Sequence, residues 1–143
     1  MYMNAGYLHN SLIDFKDKTR PLVVGSCGTY RLYNRPKLPT YRPRGRLDFQ
    51  ILYVTAGKAH FFLDEEYVEV TAGHMVLYQP KEVQRYVYYG TDQTEVFWVH
   101  FTGSNVKNIF VAGDIALKTG GSIAAGLQHG YEIAQEIAKR HRV

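Results

Sequence analysis

The sequence predicts a mainly β protein, an antiparallel sandwich or barrel, with α-helices towards the C-terminus. Between residues 48 and 104, short apolar and aromatic segments recur, and each is closed by Gly, Pro or Asp, which is typical of small antiparallel β-folds. The aromatic share is 14%, with 12 Tyr, and these residue types favour strands. From Ser122 onwards the apolar residues instead follow helical spacing.

Length and composition indicate one globular domain. The chain has 143 residues, of which 45% are hydrophobic, enough for a substantial core. The sequence shows no apolar run long enough to cross a membrane and no secretory h-region. Cys27 is the only cysteine, so it cannot form an internal disulfide, and a reducing cytoplasm is the simplest setting.

The first part of the chain is predicted to be an arm, a strand and a loop. Residues 1–20 are mostly polar with a few apolar anchors, and a short strand is expected within 21–33. The basic, proline-punctuated stretch 31–46 follows and carries much of the formal net charge of +4. This stretch is either a basic arm that contacts phosphate or a loop with solvated arginines.

The predicted barrel strands follow in order. The segment 48–57 ends in Gly, 58–73 contains two short strands around an acidic turn at 64–66, and 74–82 stops after a Pro. The aromatic segment 83–93 and the final segment 94–104 complete the series. The predicted barrel therefore spans 21–104.

Residues 105–143 are predicted to be helical. Ser122 is a plausible N-cap, the basic end suits the helix dipole, and six apolar or small residues share one helical face: Ile123, Leu127, Tyr131, Ala134, Ile137 and Ala138. Gly126 and Gly130 are four residues apart, which allows close helix approach. This face predicts either a two-fold helix pair that forms a homodimer or packing against the chain's own barrel.

The segment "TEVFWVHFTGS" (94–104) carries the only Trp of the chain. Strict alternation places Val96, Trp98 and His100 on one face of a strand, and the opposite face, from Phe97 to Phe101, is predicted to be an ordinary core face. An indole beside an imidazole indicates either that the interior of the barrel holds water or that both residues are ordinary members of the core.

The phrases "YRPRG", "AGHMVLYQP" and "WVHFTGS" together resemble the N-terminal effector-binding domain of AraC-type transcription regulators. The resemblance is strong over roughly residues 20–104 and looser over the helical segment. It implies a cupin-like antiparallel β-barrel (jelly roll) that holds a small effector, often a sugar, and helices that form a homodimer. It also implies that DNA is bound only through a separate C-terminal helix-turn-helix domain, which this chain does not contain.

The resemblance also implies an effector site. Carried over by motif, its residues are Arg42 from "RPRG", Tyr86 after the Pro turn, and Trp98. The best-known sugar-sensing relatives have a His two residues before that Trp, where this chain has Val96, and His100 on the same face could partly replace it. Each residue also has a plainer interpretation, as a core, outer-face or loop residue. Asp48 and Gln50 either add polar groups to the pocket or face solvent.

Enzyme chemistry is the main alternative, because many cupins are metal enzymes. A cupin metal site needs two or three imidazoles and a carboxylate, but His60 stands alone, and the position after the Pro turn holds Gln84 or Arg85. Arginine stays protonated and cannot ligate a cation. Cys27 lacks a base placed by any motif. The prediction is therefore no catalytic residue, no metal and no cofactor.

Overall fold

The computed structural model describes residues 1–8, 16–63 and 65–106, all within one compact unit, Met1–Val106. These residues form nine antiparallel strands: β1 (Tyr2–Tyr7), β2 (Val23–Arg31), β3 (Lys37–Arg42), β4 (Phe49–Ala56), β5 (Lys58–Leu63), β6 (Glu66–Thr71), β7 (Met75–Tyr78), β8 (Gln84–Tyr89) and β9 (Glu95–Thr102). A 3-10 turn, Gly90–Asp92, joins β8 to β9.

The strands form two sheets. The five-stranded sheet has the order β1-β2-β9-β4-β7, and the four-stranded sheet has the order β3-β8-β5-β6. Several neighbours in space are distant in sequence: β9 lies between β2 and β4, and β8 lies between β3 and β5. This mixing of early and late strands agrees with the predicted barrel of the jelly-roll type.

Buried and more accessible residues alternate along these segments, which explains why they form strands with one inner face. In β4, buried Gln50, Leu52 and Val54 alternate with more accessible residues, and β8 alternates in the same way. The inner faces bury Phe61 and Tyr78 completely, with ring centroids 6.4 Å apart. This packing fills part of the space between the sheets with apolar side chains.

Strand β9 corrects the predicted assignment of its faces. Val96, Trp98 and His100 are all buried, whereas on the opposite face Phe97 is 47% exposed, Val99 is half-buried and Phe101 is buried. The face predicted as ordinary core is therefore largely the outer face of the sheet, and the indole–imidazole face points inwards. Alternation found the two faces correctly but could not decide which one was buried, because both contain large apolar residues.

The predicted C-terminal α-helices are wrong as part of the fold: between Met1 and Val106, the residues that the structure describes contain strands and a 3-10 turn but no α-helix. The prediction rested on apolar spacing, a plausible N-cap, a basic end and the looser part of the resemblance. Spacing shows which residues would share a face if a helix formed, whereas most helical stability comes from tertiary packing. Residues 107–143, including the proposed helix-pair homodimer contact, lie outside the described residues.

The N-terminal segment contributes a strand to the barrel. Residues 2–7, within the stretch predicted as a polar arm, pair with β2 from Tyr2–Arg31 to Tyr7–Ser26. The first strand is thereby an edge of the five-stranded sheet. In the described part of the chain, no helix has the length and apolar character that crossing a bilayer requires.

Candidate functional site

A cavity of about 170 Å³ lies between the inner faces of the two sheets. Six of the nine strands contribute to its wall, mainly with polar and aromatic side chains. The lining residues are Tyr7, Gly25, Ser26, Tyr30, Leu38, Thr40, Arg42, Arg46, Asp48, Gln50, Tyr86, Tyr88, Trp98 and His100. A water molecule takes up about 30 Å³ of liquid, so the cavity suits a ligand of one small ring. All four predicted effector-binding residues line this same cavity, and what they bind remains a prediction.

Arg42 reaches the cavity from the last position of β3. Its cross-strand partner is Gln84 on β8, and its Nη1 donates hydrogen bonds to Gln84 Oε1 at 2.9 Å and to the Tyr86 hydroxyl at 3.3 Å. Both partners are neutral. The strand pairing therefore holds the guanidinium in place without neutralising its charge.

The Trp98 indole forms the aromatic wall of the cavity. It stacks on Tyr30, with ring centroids 6.1 Å apart, and meets the His100 ring edge-on at 5.0 Å. Tyr7 from β1 lies 6.3 Å away. Gly28 faces Trp98 directly across the β2–β9 pair. A Cβ at Gly28 would lie 2.6 Å from the indole, so a glycine is needed for the ring to lie against β2.

Asp48 links the cavity to two basic groups. Arg46 binds it with both ends of the guanidinium, Nε to Oδ1 at 2.6 Å and Nη2 to Oδ2 at 3.0 Å. His100 Nδ1 lies 3.5 Å from Asp48 Oδ1, which is too long for a strong hydrogen bond. This ion pair is well shielded, because the Arg46 and Asp48 side chains are 13% and 3% exposed.

Burial and charge together set the protonation of these groups. Burial alone would raise the pKa of Asp48, but His100 and Arg46 outweigh it, and the pKa lies below its ordinary value. Burial lowers the pKa of His100, and the Asp48 carboxylate opposes this only in part. At neutral pH, Asp48 is therefore ionised and His100 is neutral. Burial also raises the pKa of Tyr30 and of Tyr88, so both phenols keep their protons.

Several buried polar atoms of the cavity lining have no hydrogen-bond partner among the described residues. They are Gln50 Oε1, the Tyr88 hydroxyl, Trp98 Nε1 and His100 Nδ1. Leaving a buried polar group unpaired costs about 1–3 kcal/mol, so four in one small cavity are expensive unless something else satisfies them. The set contains donors and acceptors, and it includes the indole nitrogen itself.

Sequence reasoning identified part of this lining. Arg42, Tyr86, Trp98 and His100 came from motif positions, and Asp48 and Gln50 were left open between pocket and solvent. The structure resolves that choice: Asp48 is 2% and Gln50 is 3% exposed, and both line the cavity.

Two of the lining residues that sequence reasoning missed carried a local signal. Tyr88 lies two residues after Tyr86, which places it on the same strand face. Arg46 lies two residues before Asp48, a spacing that brings the two side chains together here. Neither was singled out, because the tyrosines and arginines of this chain are numerous and most of their positions are on the surface.

The remaining candidate residues lie away from the cavity lining. His60 Nε2 pairs with Asp92 Oδ2 at 2.6 Å, and His74 contacts the Thr71 hydroxyl and carbonyl. Cys27 is exposed. Within residues 1–8, 16–63 and 65–106, no group of three or more His, Cys, Asp or Glu side chains could hold a metal ion.

The basic stretch 31–46 is only partly exposed. Arg31 lies at the end of β2, where its Nε is 3.6 Å from Glu95. Arg42 and Arg46 turn inwards to the cavity, and Arg44 remains exposed in the turn after β3. Two of the arginines that suggested phosphate contact are therefore part of the cavity wall.

Three solved structures illustrate proteins to which this chain is similar. The EutQ protein of Clostridium difficile shares 18% identity at a TM-score of 0.39, over 55% of this chain and 56% of its own length. A Cupin 2 conserved barrel domain protein from Salinispora arenicola shares 15% identity at a TM-score of 0.44, over 70% of this chain and 75% of its own length. A cupin protein from Bacteroides fragilis shares 13% identity at a TM-score of 0.42, over 64% of this chain and 80% of its own length. Likenesses of this size carry no weight for function.

No curated protein matches the chain. The model of one family does match, and its description is AraC-like ligand binding domain. The match covers residues 26–142, which is most of the chain and includes every cavity residue except Tyr7 and Gly25. The chain therefore belongs to the AraC-like ligand binding domain family.

Proposed function

We propose that this domain senses a small polyhydroxylated effector, a sugar or a close relative, in the cavity between the two sheets. The observation that carries the proposal is the set of unpartnered buried atoms in the cavity lining: Gln50 Oε1, the Tyr88 hydroxyl, Trp98 Nε1 and His100 Nδ1. Membership of a ligand-binding family supports the same conclusion. We expect Arg42, Tyr86, Trp98 and His100 to contact the effector.

A sugar matches this lining chemically. Each hydroxyl both donates and accepts a hydrogen bond, so a polyol can satisfy the Gln50 acceptor and the Trp98 and Tyr88 groups together. The flat C–H face of a sugar ring also covers an aromatic face. A volume of about 170 Å³ is below the range of pockets for drug-sized ligands, which favours a monosaccharide over a disaccharide.

The bound effector would act on an attached DNA-binding domain in a cytoplasmic transcription regulator. Such control requires that the ligand favour one state of the protein over another, since equal affinity for both transmits nothing. The cavity is proposed for binding, not catalysis. Its one carboxylate, Asp48, is held by Arg46 at both oxygens, an arrangement that lowers its basicity.

Tyr88→Phe tests the proposal, because it removes one unpartnered hydroxyl from a side chain that is 1% exposed. The protein without ligand should be as stable as the wild type or slightly more stable, since an unsatisfied buried group disappears. Affinity for the effector should fall roughly tenfold, the value of about one hydrogen bond. The matched control is Tyr41→Phe, on a tyrosine that is 66% exposed.

The measurement is a thermal-shift screen against neutral and acidic monosaccharides, followed by calorimetric titration of each hit with wild type, Tyr88→Phe and Tyr41→Phe. A ligand at about a hundred times its Kd should stabilise the protein by about 2.7 kcal/mol. A hit that binds wild type and Tyr88→Phe equally would place the binding site elsewhere. A screen in which no saccharide stabilises the protein would contradict the proposed ligand class.

A further inference from the structure

The charges that line the cavity do not cancel. Arg46 and Asp48 neutralise each other through two hydrogen bonds, and burial keeps His100 neutral by lowering its pKa. No other acidic side chain lines the cavity. Arg42, which is half-buried, therefore leaves one net positive charge in the cavity wall.

Arg42 is positioned by neutral groups only. Its Nη1 nitrogen contacts Gln84 Oε1 and the Tyr86 hydroxyl, and no carboxylate among the described residues pairs with it. A guanidinium has five N–H donors. The two described contacts use one nitrogen, so the Nε–Nη2 edge, which has the shape to bind a carboxylate with two parallel hydrogen bonds, has no partner in the described part of the chain.

The charge of Arg42 reaches residues on several walls of the cavity. Its field influences Tyr30 on β2, Tyr88 on β8 and His100 on β9. These residues come from both sheets. A ligand that contacts any of these walls would therefore lie within the field of an uncompensated cation.

We propose that the effector is a monosaccharide acid, and that its carboxylate binds the Nε–Nη2 edge of Arg42. This inference rests on the proposed function and makes it more specific. A carboxylate brings one negative charge to a cavity with one net positive charge, and it only accepts hydrogen bonds, whereas the arginine edge only donates them. A phosphate brings close to two negative charges at neutral pH, which one arginine cannot balance.

The test compares chemically matched pairs: D-galactose with D-galacturonate, D-glucose with D-glucuronate, and glucose 6-phosphate as the dianionic probe. Affinities are measured by calorimetric titration at constant ionic strength. At least one acid should bind roughly tenfold to a hundredfold more tightly than its neutral partner, the value of a charge-assisted hydrogen-bond pair.

Two variants test whether Arg42 is the source of the preference for the acid over the neutral sugar. Arg42→Gln should bring the acid down to the affinity of its neutral partner, with much less effect on the neutral sugar. Arg85→Gln is the matched control: Arg85 is exposed on β8, where it lies 4.7 Å over the Phe62 ring on the outer face, and it should keep the full preference. The comparison on wild type alone decides the inference if Arg42→Gln does not fold.

The outcomes separate this inference from the proposed function. Neutral sugars that bind as tightly as their acids would overturn the inference and leave the saccharide site in place. Tighter binding of glucose 6-phosphate than of both acids would overturn the choice of a carboxylate. If neither sugars nor sugar acids bind, both the inference and the proposed function fail.

Discussion

Gly28 on β2 lies directly opposite Trp98 on β9, and a methyl group on Gly28 would come 2.6 Å from the indole. The same methyl group would lie 2.4 Å from the backbone carbonyl oxygen of Asn4 on β1. One glycine therefore controls both the position of the cavity's aromatic wall and the contact of β2 with the edge strand β1.

We predict that Gly28→Ala destabilises the protein by about 1–3 kcal/mol, the usual cost of adding volume to a packed site. Since Trp98 is the only tryptophan, the displacement of the ring should also change the intrinsic fluorescence spectrum. Chemical denaturation and emission spectra measure the two effects. Gly6→Ala is the control, because a Cβ at Gly6 meets nothing within 4 Å; equal effects in both variants would contradict the close-contact explanation.

The second prediction concerns the shielded ion pair. Arg46→Ala should cost about 3 kcal/mol, because it leaves the Asp48 carboxylate buried without its main partner. Urea denaturation measures the loss. Lys58→Ala, which removes the pair of Lys58 with Glu69, should change stability far less, since those side chains are 37% and 47% exposed and solvent screens the pair. Comparable losses in the two variants would show that Asp48 is not shielded as described.

The third prediction is a two-stage loss of stability in acid. Burial lowers the pKa of His100 below its ordinary 6.5, so below that pH the unfolded chain binds a proton that the folded chain does not. Stability should therefore fall as the pH drops from about 6.5. His100→Gln should remove this first stage, as seen in free energies of unfolding measured from pH 7.5 to pH 4.5.

The second stage belongs to Asp48. Its folded pKa is lower than the ordinary 3.8, so its contribution to stability is complete above that pH and is lost as the pH falls through the folded pKa. Asp48→Asn should lack this loss. A wild-type stability that is level from pH 7.5 to pH 4.5 would contradict the burial of a neutral His100.

The fourth prediction addresses the metal-enzyme alternative. Dialysis against a chelator should leave the melting temperature unchanged, because the described residues contain no group of three potential ligands and a divalent site requires several. The measurement combines thermal melts with elemental analysis of the dialysed protein. A stoichiometric metal that survives dialysis would revive the enzyme hypothesis.

The sequence predicted the barrel well, because its strands alternate with period two and end at Gly, Pro or Asp. It predicted only some of the cavity residues. Trp98 and Arg42 stand in distinctive phrases, but the local signal of Tyr88 and Arg46 is only their spacing of two residues from Tyr86 and Asp48. Which tyrosine or arginine faces inwards depends on how β3, β8 and β9 meet in space, and that long-range pairing leaves no mark in the local sequence.

The errors have physical causes as well. The outer face of β9 looked like core because Phe97 and Val99 are large and apolar, although exposed apolar residues are common on protein surfaces. The C-terminal helix prediction depended on spacing without knowledge of packing partners. The pairing of residues 2–7 with β2 was not anticipated, since the segment has no alternating apolar pattern.

The order of the strands also determines which edges of the two sheets can pair with another molecule and cause aggregation. Among the residues that the structure describes, the four outermost strands are β1, β7, β3 and β6, and three of them resist the addition of a further strand. β3 contains Pro39, β6 contains Glu66 and Glu69, and β7 has only four residues. β1, with the sequence YMNAGY, has neither charge nor proline. Fibre growth or strand exchange between molecules would therefore start at β1, so a lysine at Asn4, which is exposed, is the change to make when the domain is prepared at high concentration.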